Sequence, residues 1–190
     1  LIYLVKCLEK VTYRNAKHII ALAPGMKSDI VAKGIGAKKI TVIPNACDLD
    51  IFKPNKKNNN NLRMENLWLK ERKLIVFAGA LGYVNHVIDL AKISKELYSL
   101  DPEIRVLVIG DGKDKESIKK YAKKMGILNK NFFMIDAIPK LEVARWIEVS
   151  DLQIALFKGP KVLWKDGVQN KFFDAISAGK PIACNFYGWQ

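Results

Sequence analysis

Cysteine is scarce in this sequence of 190 residues. Cys7, Cys47 and Cys184 are odd in number and none forms a CxxC pair, which argues against both a disulfide framework and a structural zinc site. A reducing compartment is favoured, the cytosol by default. Acidic residues are also short: 19 Asp and Glu face 32 Lys and Arg, a formal charge of +13. Such an excess suits a phosphate-rich small molecule, a nucleic acid or an anionic membrane surface, and an ordinary basic solvated surface would carry it too. No apolar run approaches the ~18 residues of a membrane span. An initiator Met and the basic start of a signal peptide are both lacking, so the sequence reads as a piece of a longer chain. Apolar side chains are plentiful: at 49% they suffice for one large core or two small ones and exclude a disordered chain.

Leu1, Leu4, Val5, Leu8, Val11 and Thr12 recur at helical spacing, predicting a helix over the first 15 residues, and His18–Ala23 follows as a short strand. Pro24 suits the first turn of a second helix that Gly34 and Gly36 stop, and Lys39–Ile43 is a β-branched run broken by Pro44. The pattern then dissolves. Lys53-Pro54-Asn55-Lys56-Lys57 runs into Asn58–Asn61, too polar to bury anything, and residues 46–73 are assigned to a linker. Beyond it strands alternate with helices: strands Leu74–Ala78, Ile104–Ile109, Phe132–Ile135, Leu152–Phe157 and Pro181–Cys184, and helices Asn85–Leu100, Asp114–Met125, Leu141–Val149 and Asn170–Ala178. Repeated βα units with apolar strands predict an α/β fold, a doubly wound parallel sheet covered on both faces. Lys113, Lys115, Lys119, Lys120, Lys123 and Lys124 alternate with Ile118, Tyr121, Ala122 and Met125, a solvated helix face rather than a nucleic-acid stripe, since no aromatic platform interleaves them.

In an open parallel sheet, ligands bind outside the carboxyl ends of the strands, which singles out four loops. Gly79-Ala80-Leu81-Gly82-Tyr83 would let backbone N–H groups approach a phosphate, with an ordinary tight turn as the alternative. Gly110-Asp111-Gly112 does not make a GxGxxG fingerprint, which disfavours a dinucleotide enzyme. Ala137-Ile138-Pro139 holds its backbone extended, as a flat base would require, with a plain loop as the alternative. In the fourth, Asp166 and Asp174 stand eight residues apart around a helix start: Asn170 can cap that helix, its amides favour an anion, Lys171 adds charge, and Asp174 lies one turn on. A cap and a surface acid with no ligand would look the same. His18 and His86 are assigned structural or surface roles.

The run Asp166-x7-Asp174 with Ala175-Ile176-Ser177-Ala178-Gly179-Lys180-Pro181 resembles the Glu-x7-Glu, Ala-Met-Ala-x-Gly-x-Pro signature of retaining glycosyltransferases of family 4, also called group 1. Ala16–Leu22 with Gly25-Met26, Val42–Asp48 with Phe52 and Pro54, Gly110-Asp111-Gly112 and Val149–Leu152 resemble stretches of that family in its usual order, over nearly the whole chain. The resemblance implies a GT-B fold of two Rossmann-like domains, no metal, and no cofactor, the nucleotide-sugar being a substrate. Residues 1–45 would be the last elements of the amino-terminal acceptor domain, 46–73 the interdomain linker, and 74–190 the donor domain, truncated at its carboxyl end. Asp174 would hold the ribose hydroxyls and Asp166 would lie near the transferred sugar. Gly167 and Val168 would offer backbone amides, Gly79 and Gly82 would form the phosphate-side loop, and Ile138 would contact the base.

Both carboxylates are Asp where the family has Glu. The family's phosphate-gripping Arg and Lys would fall at Ala80 and Asn85, so Lys171 is assigned the missing charge. Gln169-Asn170-Lys171 resembles the Pro-Ser-Lys or Pro-Asn-Lys of bacterial enzymes that build surface polysaccharides. The implied function is hexosyl transfer with retention from a nucleotide-sugar to a sugar or lipid-linked acceptor, in the cytoplasm or peripherally on an anionic inner membrane face. Nucleic acid is not the implied partner, and this stretch alone is expected to lack turnover. The rival is a non-enzymatic basic module binding nucleic acid or anionic membrane, and a sugar-nucleotide epimerase is a third alternative by fold analogy.

Overall fold

The computed structural model describes residues 1–54 and 61–189. Residues 55–60 of the expected linker, Lys56, Lys57 and most of the Asn run among them, lie outside that range. In chain order the elements are α1 (Ile2–Asn15), β1 (Ile19–Ala21), α2 (Pro24–Ala32), a 3₁₀ turn at Ala37–Lys39, β2 (Ile40–Val42), α3 (Asn61–Glu65), β3 (Lys73–Ala78), α4 (Ile88–Leu100), β4 (Ile104–Ile109), α5 (Lys115–Lys124), β5 (Phe132–Ile135), α6 (Lys140–Val149), β6 (Leu152–Ala155), α7 (Lys161–Asp166), α8 (Asn170–Ser177) and β7 (Ile182–Cys184). They form two compact units.

The first unit comprises residues 1–45, 160–168 and the chain from Tyr187 on. Its β1 and β2 pair in parallel, Ile19 beside Ile40 and Ala21 beside Val42. Ile19, Ala21, Ile30, Ile35 and Ile40 close a small core with Tyr13, Ala16 and Met26. Pro24 starts α2, where its missing N–H costs nothing. No residue of α1 is buried; Ile2, Leu4, Val5, Leu8 and Val11 are all exposed.

The second unit, residues 46–159 and 169–186, holds five parallel strands in the order β5-β4-β3-β6-β7. Side chains alternate across a strand, and here both faces are buried. Phe77, Val106, Val108 and Phe132 pack with Leu90 and Ala91 of α4 and Ile118 and Ala122 of α5. Leu74, Val76, Leu107, Ile109 and Phe133 pack on the other face with Trp146 and Val149 of α6. Full burial of each such side chain contributes roughly 1.5–3 kcal/mol, which is why β-branched runs settle in the middle of the sheet. The chain moves outward from β3 through β4 to β5, then returns to lay β6 on the other side of β3. The crevice above β3 and β6 is therefore the topological switch point, where ligands of such sheets bind.

Three stretches differ from the sequence expectation. Much of the expected linker is part of the second unit: Phe52 is 2% exposed, Leu69 is fully buried, and the Arg63 guanidinium donates to the carbonyls of Lys70 and Arg72 and to Asp151. Two buried apolar anchors and one multidentate Arg suffice to fold a segment whose average composition is polar. Strand β6 ends at Ala155 rather than Phe157, because the backbone N–H and C=O of Phe157 turn to the Asn185 side chain (2.8 and 3.0 Å) instead of a neighbouring strand. The stretch from Pro160, expected as loop, contains α7 and packs in the first unit.

Candidate functional site

At the switch point the second unit carries a cavity of about 570 Å³. Its walls come from the loops after β3, β4 and β5 and from the start of α8, with Phe52, Val143 and Ile147 as an apolar side. The β3 and β4 loops are knitted together: the Gly79 N–H donates to the Ile109 carbonyl at 2.9 Å and the Leu81 N–H to the Asp111 carbonyl at 2.8 Å. Gly110 permits this approach. Its φ is +151°, and a Cβ there would stand 2.0 Å from the Gly79 carbonyl oxygen. One expected detail changes here, since the Gly79 amide is already bonded to backbone. Among the described residues, the Ala80 amide at the cavity wall has no backbone acceptor, and it is the one this loop can offer an anion there.

Lys171, in the first turn of α8, sits over the Phe77 ring with Nζ 3.9 Å from the centroid. A Cβ on Gly79 would stand 3.1 Å from that nitrogen, so the amine lies against the glycine backbone. Nζ donates to Asn85 Oδ1 at 3.2 Å. Asn85 is itself fixed by donating Nδ2 to the Ala80 carbonyl at 2.8 Å, and Gln169 Nε2 donates to the Leu156 carbonyl at 3.0 Å. Burial, with no compensating charge, pulls the Lys171 pKa down to about 7. Asp174 lies one helical turn beyond Asn170. Burial raises its pKa and the positive charge of Lys140 opposes that rise. Lys140 in turn holds Nζ 5.2 Å from the centre of the Phe52 ring.

Gly79, Ile138, Asn170, Lys171 and Asp174 all line this one cavity. Gly82 does not; its carbonyl accepts the Asn85 and His86 N–H groups and so makes the turn. Asn170 is not the cap of α8. Gln169 occupies the N-cap position, with φ −100° and ψ 128° and no side-chain cap bond, and Asn170 is the exposed first helical residue. The early amides of a helix have no partner within it, so residues 169–171 still present polar N–H groups at the cavity wall.

Asp166, Gly167 and Val168 belong to the first unit. Asp166 is 6% exposed, and its carboxyl lies against the first turn of α2, where a Cβ on Gly25 would fall 1.9 Å from Oδ1. Position 25 therefore admits no side chain while that carboxyl is in place. The Val168 carbonyl accepts a long bond from Asn45 Nδ2 at 3.4 Å. The two Asp residues of the motif thus reside in different compact units.

Sequence reasoning gave neither Phe52 nor Lys140 a place in the site. Phe52 counted only toward the family resemblance, in a stretch assigned to linker, and Lys140 is one of many lysines that nothing in the local sequence marks. The histidines are engaged in structure. His18 Nε2 pairs with Thr41 Oγ1 at 2.8 Å. The Lys158 ammonium donates to His86 Nε2 at 2.6 Å, which leaves the proton on Nδ1 to donate to Asp89 at 2.7 Å. Among the described residues, no three His, Cys, Asp or Glu side chains gather closely enough to hold a metal ion, and no helix is long and apolar enough to cross a membrane.

The family model for glycosyl transferases group 1 matches residues 58–156. No curated protein sequence matches the chain. Among solved structures it is similar to Anabaena Alr3699/HepE in complex with UDP and glucose, with a TM-score of 0.73 at 17% identity over 93% of this chain and 46% of that one. WaaG, a glycosyltransferase involved in lipopolysaccharide biosynthesis, gives 0.69 at 17% over 89% and 44%. A mutant of S. aureus TarM in complex with Fondaparinux, alpha-GlcNAc-glycerol and UDP gives 0.68 at 14% over 91% and 30%. At these identities the likeness shows the fold, the parallel α/β arrangement of GT-B glycosyltransferases. The chain spans less than half the length of each of these three structures.

Proposed function

The chain belongs to the glycosyl transferases group 1, and from that premise we propose that its second unit binds the nucleoside diphosphate part of a nucleotide-sugar donor whose glycosyl group is transferred with retention of configuration. The observation that carries the reading is a half-buried lysine without a counter-charge among the described residues, facing a cavity of nucleotide size at the switch point of a parallel sheet. The UDP held by the structurally similar HepE supports a nucleoside diphosphate as ligand.

The residues divide the work by their chemistry. Cleavage of the bond between the sugar and the diphosphate leaves negative charge on the diphosphate oxygens. Lys171 and the first amides of α8 stabilise that charge in a site sheltered from water, where such interactions act most strongly. Asp174 accepts the ribose hydroxyls, and the extended backbone at Ile138 meets the base. The Ala80 amide adds a donor on the side of the cavity where the family usually carries cations, whose charge Lys171 supplies. The roles implied for Asp166, Gly167 and Val168 beside the transferred sugar are part of this proposal and rest on the motif alone. So do a hexose as the transferred group, a sugar or lipid-linked acceptor, independence of metal, a place in bacterial surface polysaccharide synthesis, and a cytoplasmic location with peripheral contact to an anionic membrane.

The test is calorimetric titration of UDP, GDP, ADP and UDP-glucose into the chain. At least one nucleoside diphosphate should bind, and Asp174→Ala should weaken it by about 1–3 kcal/mol, because a desolvated ribose hydroxyl loses a charged acceptor. Absence of binding by all four ligands would sink the reading. Unchanged affinity in a folded Asp174→Ala variant would remove the ribose role.

A further inference from the structure

We propose that a nucleoside diphosphate enters this cavity together with a proton that Lys171 takes up, so that the cation facing the diphosphate is made on binding and is not stored in the empty site. The inference rests on the proposed donor-binding role and deepens it. An ammonium carries three N–H donors. Among the described residues, one acceptor is in reach of Nζ, Asn85 Oδ1 at 3.2 Å, and the Phe77 ring covers another side. The charged form therefore has a single protein acceptor where it stands.

Among the described residues, no neighbouring element supplies a counter-charge. The β3 loop offers Asn85, which is neutral, and its His86 is engaged with Asp89 and Lys158. The β4 loop brings Asp111, whose side chain is 66% exposed and 3.5 Å from Lys115. From β6 comes the neutral Gln153, from α6 the cation Lys140, and from α8 itself Asp174, whose opposing charge is Lys140. The amine accordingly titrates near pH 7, with burial as the cause.

A diphosphate changes each of these conditions. Its oxygens accept the remaining N–H bonds, and its negative charge favours the ammonium strongly in a cavity from which it displaces water. The balance is simple: the neutral amine and one proton from solvent give the ammonium, and no other bond is made or broken. By linkage, affinity should be flat with respect to this group below pH 7 and should fall about tenfold per pH unit above it, until the raised pKa of the complex is reached. Lysine is needed for this behaviour, because an arginine there stays charged throughout.

UDP should be titrated into the chain at pH 8 in two buffers of different ionisation enthalpy, so that the heats give the protons exchanged. The chain should take up close to one proton per UDP bound, about one by linkage. Lys171→Arg should bind UDP without uptake and lose the decline of affinity above pH 7. Lys171→Met should abolish the uptake in whatever binding remains, and Lys119→Met, a change on the solvated face of α5, should behave as the unaltered chain does. UDP binding without proton uptake, or uptake that survives in Lys171→Arg, would overturn the inference while leaving the donor-binding role standing. If no nucleoside diphosphate binds at all, the donor-binding role fails and this inference falls with it.

Discussion

Lys171→Met is expected to weaken nucleoside diphosphate binding by roughly 2–5 kcal/mol, the range for removing one member of a desolvated, hydrogen-bonded charge pair. The same change should cost the parent nucleoside far less, since a nucleoside carries no phosphate for the ammonium to meet. The loss is large because the loop after β3 holds no Lys or Arg in reserve. The positions where the family's cations would fall are Ala80 and Asn85, and Asn85 serves as an acceptor for the very amine that replaces them. Met keeps the length and apolar stem, so the packing over Phe77 survives and the comparison isolates the charge. Equal losses for nucleoside and nucleoside diphosphate would show that Lys171 is a packing residue.

The second large effect is on the fold. Gly110→Ala should destabilise the second unit by about 2–5 kcal/mol, combining a backbone conformation costly for any L side chain with overpacking against the Gly79 carbonyl. The consequence extends to the cavity, because the β3 loop that would have to move carries the Ala80 carbonyl on which Asn85 is fixed. Gly82→Ala in the same loop is the control: open space surrounds that position, and its stability should stay within about 0.5 kcal/mol of the parent. Urea unfolding followed through Trp68 and Trp146, both in the second unit, reads the difference. An unchanged midpoint for Gly110→Ala would contradict the close crossing of the two loops.

Strands β3, β4 and β5 were legible because each is a largely apolar run wanted on both faces of a sheet. Ile104–Ile109 and Phe132–Ile135 match residue for residue. Helices α3 and α7 were not legible, since five or six residues are too few for a 3.6-residue period to stand out. The place of the cavity followed from the alternation of strands and helices alone, because topology fixes where such a sheet binds ligands. Its details did not. Asn is a favoured N-cap residue, yet the backbone turns into α8 one residue earlier, at Gln169. Phe52 and Lys140 reach the cavity only through tertiary packing, which local spacing does not encode. The assignment of Asp166 to the unit that does not hold Asp174 was equally hidden, as eight residues of sequence carry no mark of a unit boundary.

The burial of Lys171 also reaches into the folding equilibrium. The amine has an ordinary lysine value of 10.5 in an open chain, whereas inside the folded unit it is held near about 7. Between those values the unfolded chain binds a proton that the folded unit does not. The stability of the empty unit therefore rises as the pH climbs through that window, and it is lowest below pH 7, where the amine must be charged within the fold. The lysine is thus a standing strain on the unit that carries it, increased by acid and relieved by an arriving anion.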